Sequence, residues 1–314
     1  MTRRVSVRVA LLTGVAVLSA SACSSQVRRE AAVKRLAAAA DAPGIRTGTL
    51  TLSSTAPDLG FSAPKGLPAP PRPSVQVDVV LDVAHHRAAL LAPGPLAARI
   101  GPTASGGRPA VALFAGSARY VRSADIGAIG ARPWFRLDKK DVGELSEPKT
   151  NDLAKPPTAG ALVLVSPLSI VEALDGVLTG SVAIDTGSAT TRYVARTSAD
   201  KVARTLHRDP SSIRPLQHAL RAFAAHDDIN DISVWLTRGG ALARVVLTYA
   251  QRPEKGVKAT ITYDLTLAAP ATTTTIDRAP LATPPANDVV DTSGVGDLKA
   301  SLDQLATLTP DVRP

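Results

Sequence analysis

At 314 residues, with 45% hydrophobic side chains and a formal charge of +9, the chain is long enough for one large or two small domains with a sizeable core. Its single cysteine, Cys23, excludes an intrachain disulfide and a cysteine-based metal site, so the fold must stand on packing. Aromatic residues make up only 3% and the basic residues form no stripe, which argues against the interleaved basic and aromatic surface of a nucleic-acid binder.

Arg3, Arg4 and Arg8 precede an apolar run from Val9 to Leu18, and Ser19, Ala20, Ser21 and Ala22 lead into Cys23. This is the pattern of a secretory signal peptide over residues 1–22. The run is shorter than the roughly 18 residues of a spanning helix, so an uncleaved transmembrane anchor is the weaker reading. Ordinary cleavage after Ala20-Ser21-Ala22 leaves a free cysteine near the mature terminus. The segment Leu18 to Cys23 also resembles a bacterial lipobox, which implies that Cys23 is acylated, palmitate being one such chain, and that the protein is exported and held on the outer face of the cytoplasmic membrane. Each buried acyl methylene contributes about 0.8 kcal/mol to such an anchor. Removing the three signal arginines lowers the formal charge from +9 to +6, and a basic exported protein favours anionic headgroups or cell-wall polymers.

Residues 23–29 form a tether, and the spacing of Val33, Leu36, Ala37 and Ala40 predicts a helix from about Glu30 to Ala40, closed by Pro43-Gly44. A strand follows over Ile45 to Ser54, then a Pro-rich loop from Ala56 to Pro73. Val75, Val77, Val79, Leu81 and Val83 alternate with Gln76, Asp78 and Asp82, a strand with one apolar and one largely wet face. His85-His86 turns it into a hairpin with Arg87 to Leu91; Pro93 to Pro109 is expected as loop. Val111 to Ala115 and Arg119 to Ser123 form a second hairpin about Gly116-Ser117, and Trp134-Phe135 begin a short strand. Lys139 to Pro157 is expected as a polar loop.

Ser166-Pro167 places an N-cap and a first-turn proline at the head of a helix running to about Leu178, with Leu168, Val171, Leu174 and Leu178 on one face. Strands at Gly180 to Asp185 and Thr191 to Thr197 are followed by helices to Leu206 and to about Ala225. Ile232 to Thr237, Leu242 to Tyr249 and Val257 to Leu267 form a meander through Arg238-Gly239-Gly240-Ala241 and Arg252 to Gly256. Ala268 to Ser293 is expected to be extended, and Val295 to Leu308 to be an amphipathic helix.

The sum is an α+β architecture, an antiparallel sheet of roughly eight to ten strands with helices on one face, which curls at this size and can leave an apolar cavity between the layers. The order of parts, the stretch Arg132-Pro133-Trp134-Phe135-Arg136-Leu137, the run Tyr263-Asp264-Leu265 and the segment Ala282 to Val290 are similar to the actinobacterial envelope lipoproteins of the LppX/LprG and LolA-like class. The resemblance covers most of residues 30–293 and leaves 294–314 as a C-terminal helix and tail. It implies a curved antiparallel half-barrel with helices packed on its concave face, a lipid or lipidated glycan held without catalysis or cofactor, and a cavity wall drawn from Val77, Val79, Leu81, Val83, Leu113, Ile261, Tyr263 and Leu265. The same side chains would equally fill an ordinary core. A second reading, from the regulators of this class, is an envelope sensor or scaffold that binds a protein partner.

Val182-Ala183-Ile184-Asp185-Thr186-Gly187-Ser188 matches the hydrophobic-Asp-Thr-Gly-Ser signature of aspartic proteases, whose chemistry needs two such carboxylates sharing a proton. Asp291-Thr292-Ser293-Gly294 has the wrong order to be the second copy, and Asp, Gly and Ser between two strands predict a hairpin turn instead. The histidines His85, His86, His207, His218 and His226 show no metal-ligand spacing; His226-Asp227-Asp228 reads as a solvated helix end. No Gly-x-Ser-x-Gly elbow and no Gly-rich phosphate loop occur.

Overall fold

Alternation of apolar and polar residues draws most of the chain into one sheet. The computed structural model describes residues 29–55, 74–92, 94–116, 118–122, 134–137, 166–168, 170–171, 174, 181–186, 189–197, 230–251, 259–269 and 276–291. Outside these lie Cys23 and the signal segment, the Pro-rich stretch 56–73, the loop 139–157, the helices expected over 200–225, His226-Asp227-Asp228 and the C-terminal helix.

The strands are β1 (Ile45–Thr55), β2 (Ser74–Asp82), β3 (Arg87–Leu91), β4 (Ala110–Ala115), β5 (Ala118–Arg122), β6 (Trp134–Leu137), β7 (Ser181–Thr186), β8 (Thr190–Thr197), β9 (Asn230–Thr237), β10 (Leu242–Gln251), β11 (Ala259–Leu267) and β12 (Val289–Asp291). They make one open twelve-stranded sheet in the order β12-β6-β5-β4-β3-β2-β1-β11-β10-β9-β8-β7, larger than the sequence suggested. β12 lies parallel to β6, while neighbours such as β1 and β11 are antiparallel. The Trp134-Phe135-Arg136 and Val289-Val290-Asp291 stretches, far apart in sequence, are therefore direct neighbours.

Register sorts the side chains into two faces. Val77, Leu50, Leu265, Val245, Val234 and Tyr193 stand in one row across β2, β1, β11, β10, β9 and β8. This row belongs to the main apolar cluster, which we call the inner face. Gly48 lies in β1 on the same face, where an added Cβ would come within 2.3 Å of the Thr266 carbonyl and 2.9 Å of the Leu267 side chain. Only glycine fits that close approach.

Helical residues cover the inner face. In α1 (residues 29–40) the buried positions are Ala32, Leu36, Ala39 and Ala40, a stripe turned by about one residue from the one predicted at Val33 and Ala37. Ser166 starts a second helical stretch, its Oγ accepting a hydrogen bond from the Leu168 N–H at 3.3 Å. Leu168, Ile170, Val171 and Leu174 are buried in the same cluster. A helix is also found where a loop was expected: α2 (Gly94–Ile100) packs Ala97 and Ile100 against this cluster. Proline is tolerated in a first helical turn, Leu96, Ala97, Ala98 and Arg99 favour helix, and Gly101 at φ +87° ends it.

The outer face carries the second correction. Residues 276–291, expected to be an extended tail, form a strap with 3-10 turns at Ala279–Leu281 and Ala286–Asp288 before β12. Ile276, Leu281 and Val289 pack on Val80, Ala89, Leu113 and Trp134 of β2 to β6. The Asp277 carboxylate pins the strap by accepting from Thr103 Oγ1 at 3.0 Å and from the Ala279 N–H at 2.9 Å. Hydrogen bonds from Ser105, Ala279 and Thr103 hold its pKa below the ordinary value, against a smaller upward push from burial. The "wet" face predicted for β2 is thus wet only at Gln76 and Asp78; Val80 and Asp82 are buried.

Candidate functional site

The inner face brings most of the predicted wall residues together. Val79, Leu81 and Leu265 are fully buried in its cluster, Tyr263 is buried, and Val77 and Val83 are partly buried against it. Ile261 occupies the matching phase of β11, opposite Ser54 and Tyr249. Leu113 does not belong to this set. It is buried on the outer face with Trp134 and Leu281, because the register of β4 on β3 sends Ala112 and Phe114 inward.

Two arginines on this face were missed by sequence reasoning. Arg46, Leu81, Ala88, Phe114 and Arg119 form one row across β1 to β5, close to the turn that joins β2 to β3. Arg46 is only 8% exposed; its guanidinium donates to the Leu242 carbonyl and, at 2.9 Å, to the Ala268 carbonyl, while Nε has no partner. Burial lowers its pKa. Arg119 is also buried, with its guanidinium carbon 5.6 Å from the Phe114 ring centroid. The signal was present at Arg46: it sits in the same alternation as Gly48, Leu50 and Leu52, where an apolar side chain is due. Tyr193 and Tyr263 also bring phenols into the layer, and burial pushes the Tyr263 pKa up to about 12.

Asp185, the candidate protease carboxylate, lies in β7 opposite Arg192, one residue before the end of the strand. β7 pairs antiparallel with β8 at the end of the sheet order, and Gly187-Ser188 of the Asp-Thr-Gly-Ser run lie outside the described residues. Among the described residues no group of three or more His, Cys, Asp or Glu is placed to hold a metal ion. No described helix is long and apolar enough to cross a membrane.

The inner face offers an apolar layer between one sheet and three helical stretches, bounded in one row by buried guanidiniums.

No protein-family model and no curated protein matches the sequence. Among solved structures, the Mycobacterium tuberculosis lipoprotein LppX is similar at 14% identity and a TM-score of 0.32, over 80% of this chain and 96% of that one. A LolA-superfamily protein from Nitrosomonas europaea is similar at 11% identity and a TM-score of 0.25, over 75% of this chain and 93% of that one. Superpositions at this level carry no argument on their own, so the functional reading rests on the layer described above.

Proposed function

We propose that the protein is a membrane-anchored envelope lipoprotein that binds a lipid or lipidated glycan, without catalysis, between the inner face of a curved sheet and its helices. Acylated Cys23 supplies the anchor, and the exported chain works at the outer face of the cytoplasmic membrane. The observation that carries this reading is the composition of the layer. Its apolar cluster runs without interruption from β5 to β8, yet α1 covers it with only Leu36 and three alanines. Burying a leucine contributes about 2–3 kcal/mol and an alanine methyl about 0.8 kcal/mol, so α1 contributes on the order of 5 kcal/mol of apolar burial. An acyl chain of about sixteen carbons gains on the order of 10 kcal/mol on leaving water. Replacing α1 by such a chain is downhill in apolar terms, and Arg46 and Arg119 in one row suit an oxygen-rich or acidic headgroup beside it.

The test is native mass spectrometry, with solvent extraction, of protein produced in an actinobacterial host without residues 1–23. About one acyl lipid per chain is the expected result; a clean apo mass overturns the carrier reading. Palmitate labelling of the full chain tests the anchor, since Cys23→Ala should abolish both label and membrane retention.

A second reading, an envelope sensor or scaffold for a protein partner, is favoured by one feature of the outer face. Trp235 lies there between Arg192 and Arg244, whose guanidinium carbons are 5.2 and 4.9 Å from its ring. Trp and Arg are the residue types that dominate protein interfaces. A clean apo mass with partner capture that depends on Trp235 would establish it.

A further inference from the structure

We propose that a pocket between the β2–β3 turn and the strap, on the face opposite the apolar layer, binds a phosphoryl group. The pocket holds about 380 Å³, within the roughly 300–1,000 Å³ of small-molecule sites. Ile45, Leu281 and Ala282 give it an apolar floor, and Asp82, His85, Arg87 and Arg278 give it polar walls.

Its charge is not balanced internally. The Asp82 carboxylate is occupied by its own turn, accepting from the His85 N–H at 3.2 Å and meeting His85 Nδ1 at 2.8 Å. Arg87 Nη1 donates to the Leu281 carbonyl at 2.9 Å, and Arg87 has no ion pair among the described residues. The Arg278 side chain has no hydrogen-bond or ion-pair partner among the described residues. Two guanidiniums therefore line a pocket that holds one carboxylate, and the net formal charge of +1 suits an anion. Guanidiniums also present paired N–H donors at the spacing of phosphoryl oxygens.

One cation is held in place before any ligand arrives: Arg87 is in β3 and tied to the strap. The Arg278 backbone stands at the N-cap of the turn Ala279–Leu281, stiffened by Pro280 and by the Asp277 hydrogen bonds to Thr103 and Ala279, and its side chain is exposed. Such pre-ordering lowers the entropic cost of binding. The floor of Ile45, Leu281 and Ala282 lies where the carbon skeleton attached to a phosphate would rest.

The phosphoryl group has two sources, free phosphate and a phospholipid headgroup, and calorimetry on the full chain in neutral maltoside detergent separates them. Inorganic phosphate and dihexanoyl phosphatidic acid are titrated into wild type, Arg278→Gln and, as a charge control on the exposed face of α1, Arg35→Gln. The Arg278 side chain is exposed and has no hydrogen bond or ion pair among the described residues, so its variant should fold as wild type does. Loss of one charge-assisted contact should weaken binding about tenfold or more in Arg278→Gln and leave Arg35→Gln unchanged. Binding of both ligands with that dependence assigns the site to the free phosphoryl group, and binding of phosphatidic acid alone assigns it to a lipid headgroup. If neither ligand binds, or if Arg278→Gln binds as wild type does, the site is overturned. Phosphatidic acid that still binds in Arg278→Gln is held elsewhere, so this outcome leaves the inner-face lipid reading to its own test.

Discussion

The outer face of the sheet is two surfaces on one scaffold. On β2 to β6 its outward positions are Val80, Ala89, Leu113 and Trp134, and the strap lays Ile276, Leu281 and Val289 across them. On β1, β11, β10 and β9 the same positions carry Thr49, Thr51, Asp264, Thr266, Arg244, Thr248 and Ser233, joined by polar contacts such as Thr248 to Thr262 at 3.3 Å. Both halves are built mainly of antiparallel pairs, so the outward residues decide which half needs a cover. A sheet covered on both faces makes an unpartnered charge costly, and one covered once tolerates it on the wet side.

The largest expected effect breaks this contrast directly. Leu113→Asp places an unpaired carboxylate beneath the strap, where Leu113 is 1% exposed, and should cost about 3–5 kcal/mol. Thr262→Asp on the open half should cost about 1 kcal/mol or less. Urea melts of the two variants compare them; equal midpoints would mean that the strap does not seal its half.

The same contrast explains what was legible beforehand. The open half alternates, so β1 and the β9–β11 meander appear in the sequence with bounds close to those observed. The sealed half does not alternate: β4 reads Ala-Val-Ala-Leu-Phe-Ala and is buried at five consecutive positions. Nothing in such a run says which face Leu113 takes, and it was assigned to the wrong one. The strap was illegible for a different reason. Its apolar anchors Ile276, Leu281 and Val289 are scattered among Pro, Thr and Asp at no helical or strand period, and its stability comes from the face it covers. Helix α2 was hidden by Gly94-Pro95, read as a breaker where it is a helix start. For the inner face, the apolar phase was readable strand by strand, while the arginines within it became visible only when register placed Arg46 beside Leu81 and Arg119 beside Phe114.

An intermediate effect sharpens the contrast across the thickness of the sheet, between Thr262 facing out and Tyr263 facing in. Burial raises the Tyr263 phenol to about 12, above its ordinary value of 10.0. A raised acid keeps its proton longer in the folded chain than in the unfolded one. Between pH 10 and 12 the unfolded state therefore binds fewer protons, and stability falls as pH rises. The full contribution is present below pH 10 and is lost through pH 12, a difference of about 2–3 kcal/mol. Tyr263→Phe should start less stable or equal at neutral pH and lose that much less over the alkaline range. Parallel pH curves for the two proteins would place Tyr263 in contact with water.

The smallest effect belongs to the open half itself, where Arg192, Trp235 and Arg244 stand side by side on β8, β9 and β10. Arg244 Nε donates to Asp264 Oδ1 at 2.8 Å, and this hydrogen bond is the main cause of the raised Arg244 pKa. The two side chains are 45% and 24% exposed, so water and salt screen the pair. A double-mutant cycle of Arg244→Ala and Asp264→Ala should give a coupling of about 0.5–1 kcal/mol that shrinks as salt is added. Trp235→Ala should remove a further stacking contribution of about 0.5–1 kcal/mol, since both guanidiniums lie over its ring. A coupling above about 2 kcal/mol that ignores salt would mean that this ladder is shielded from water as the strap shields Leu113. The open half would then need a cover of its own, and a partner seated on Trp235 would be the first place to look for it.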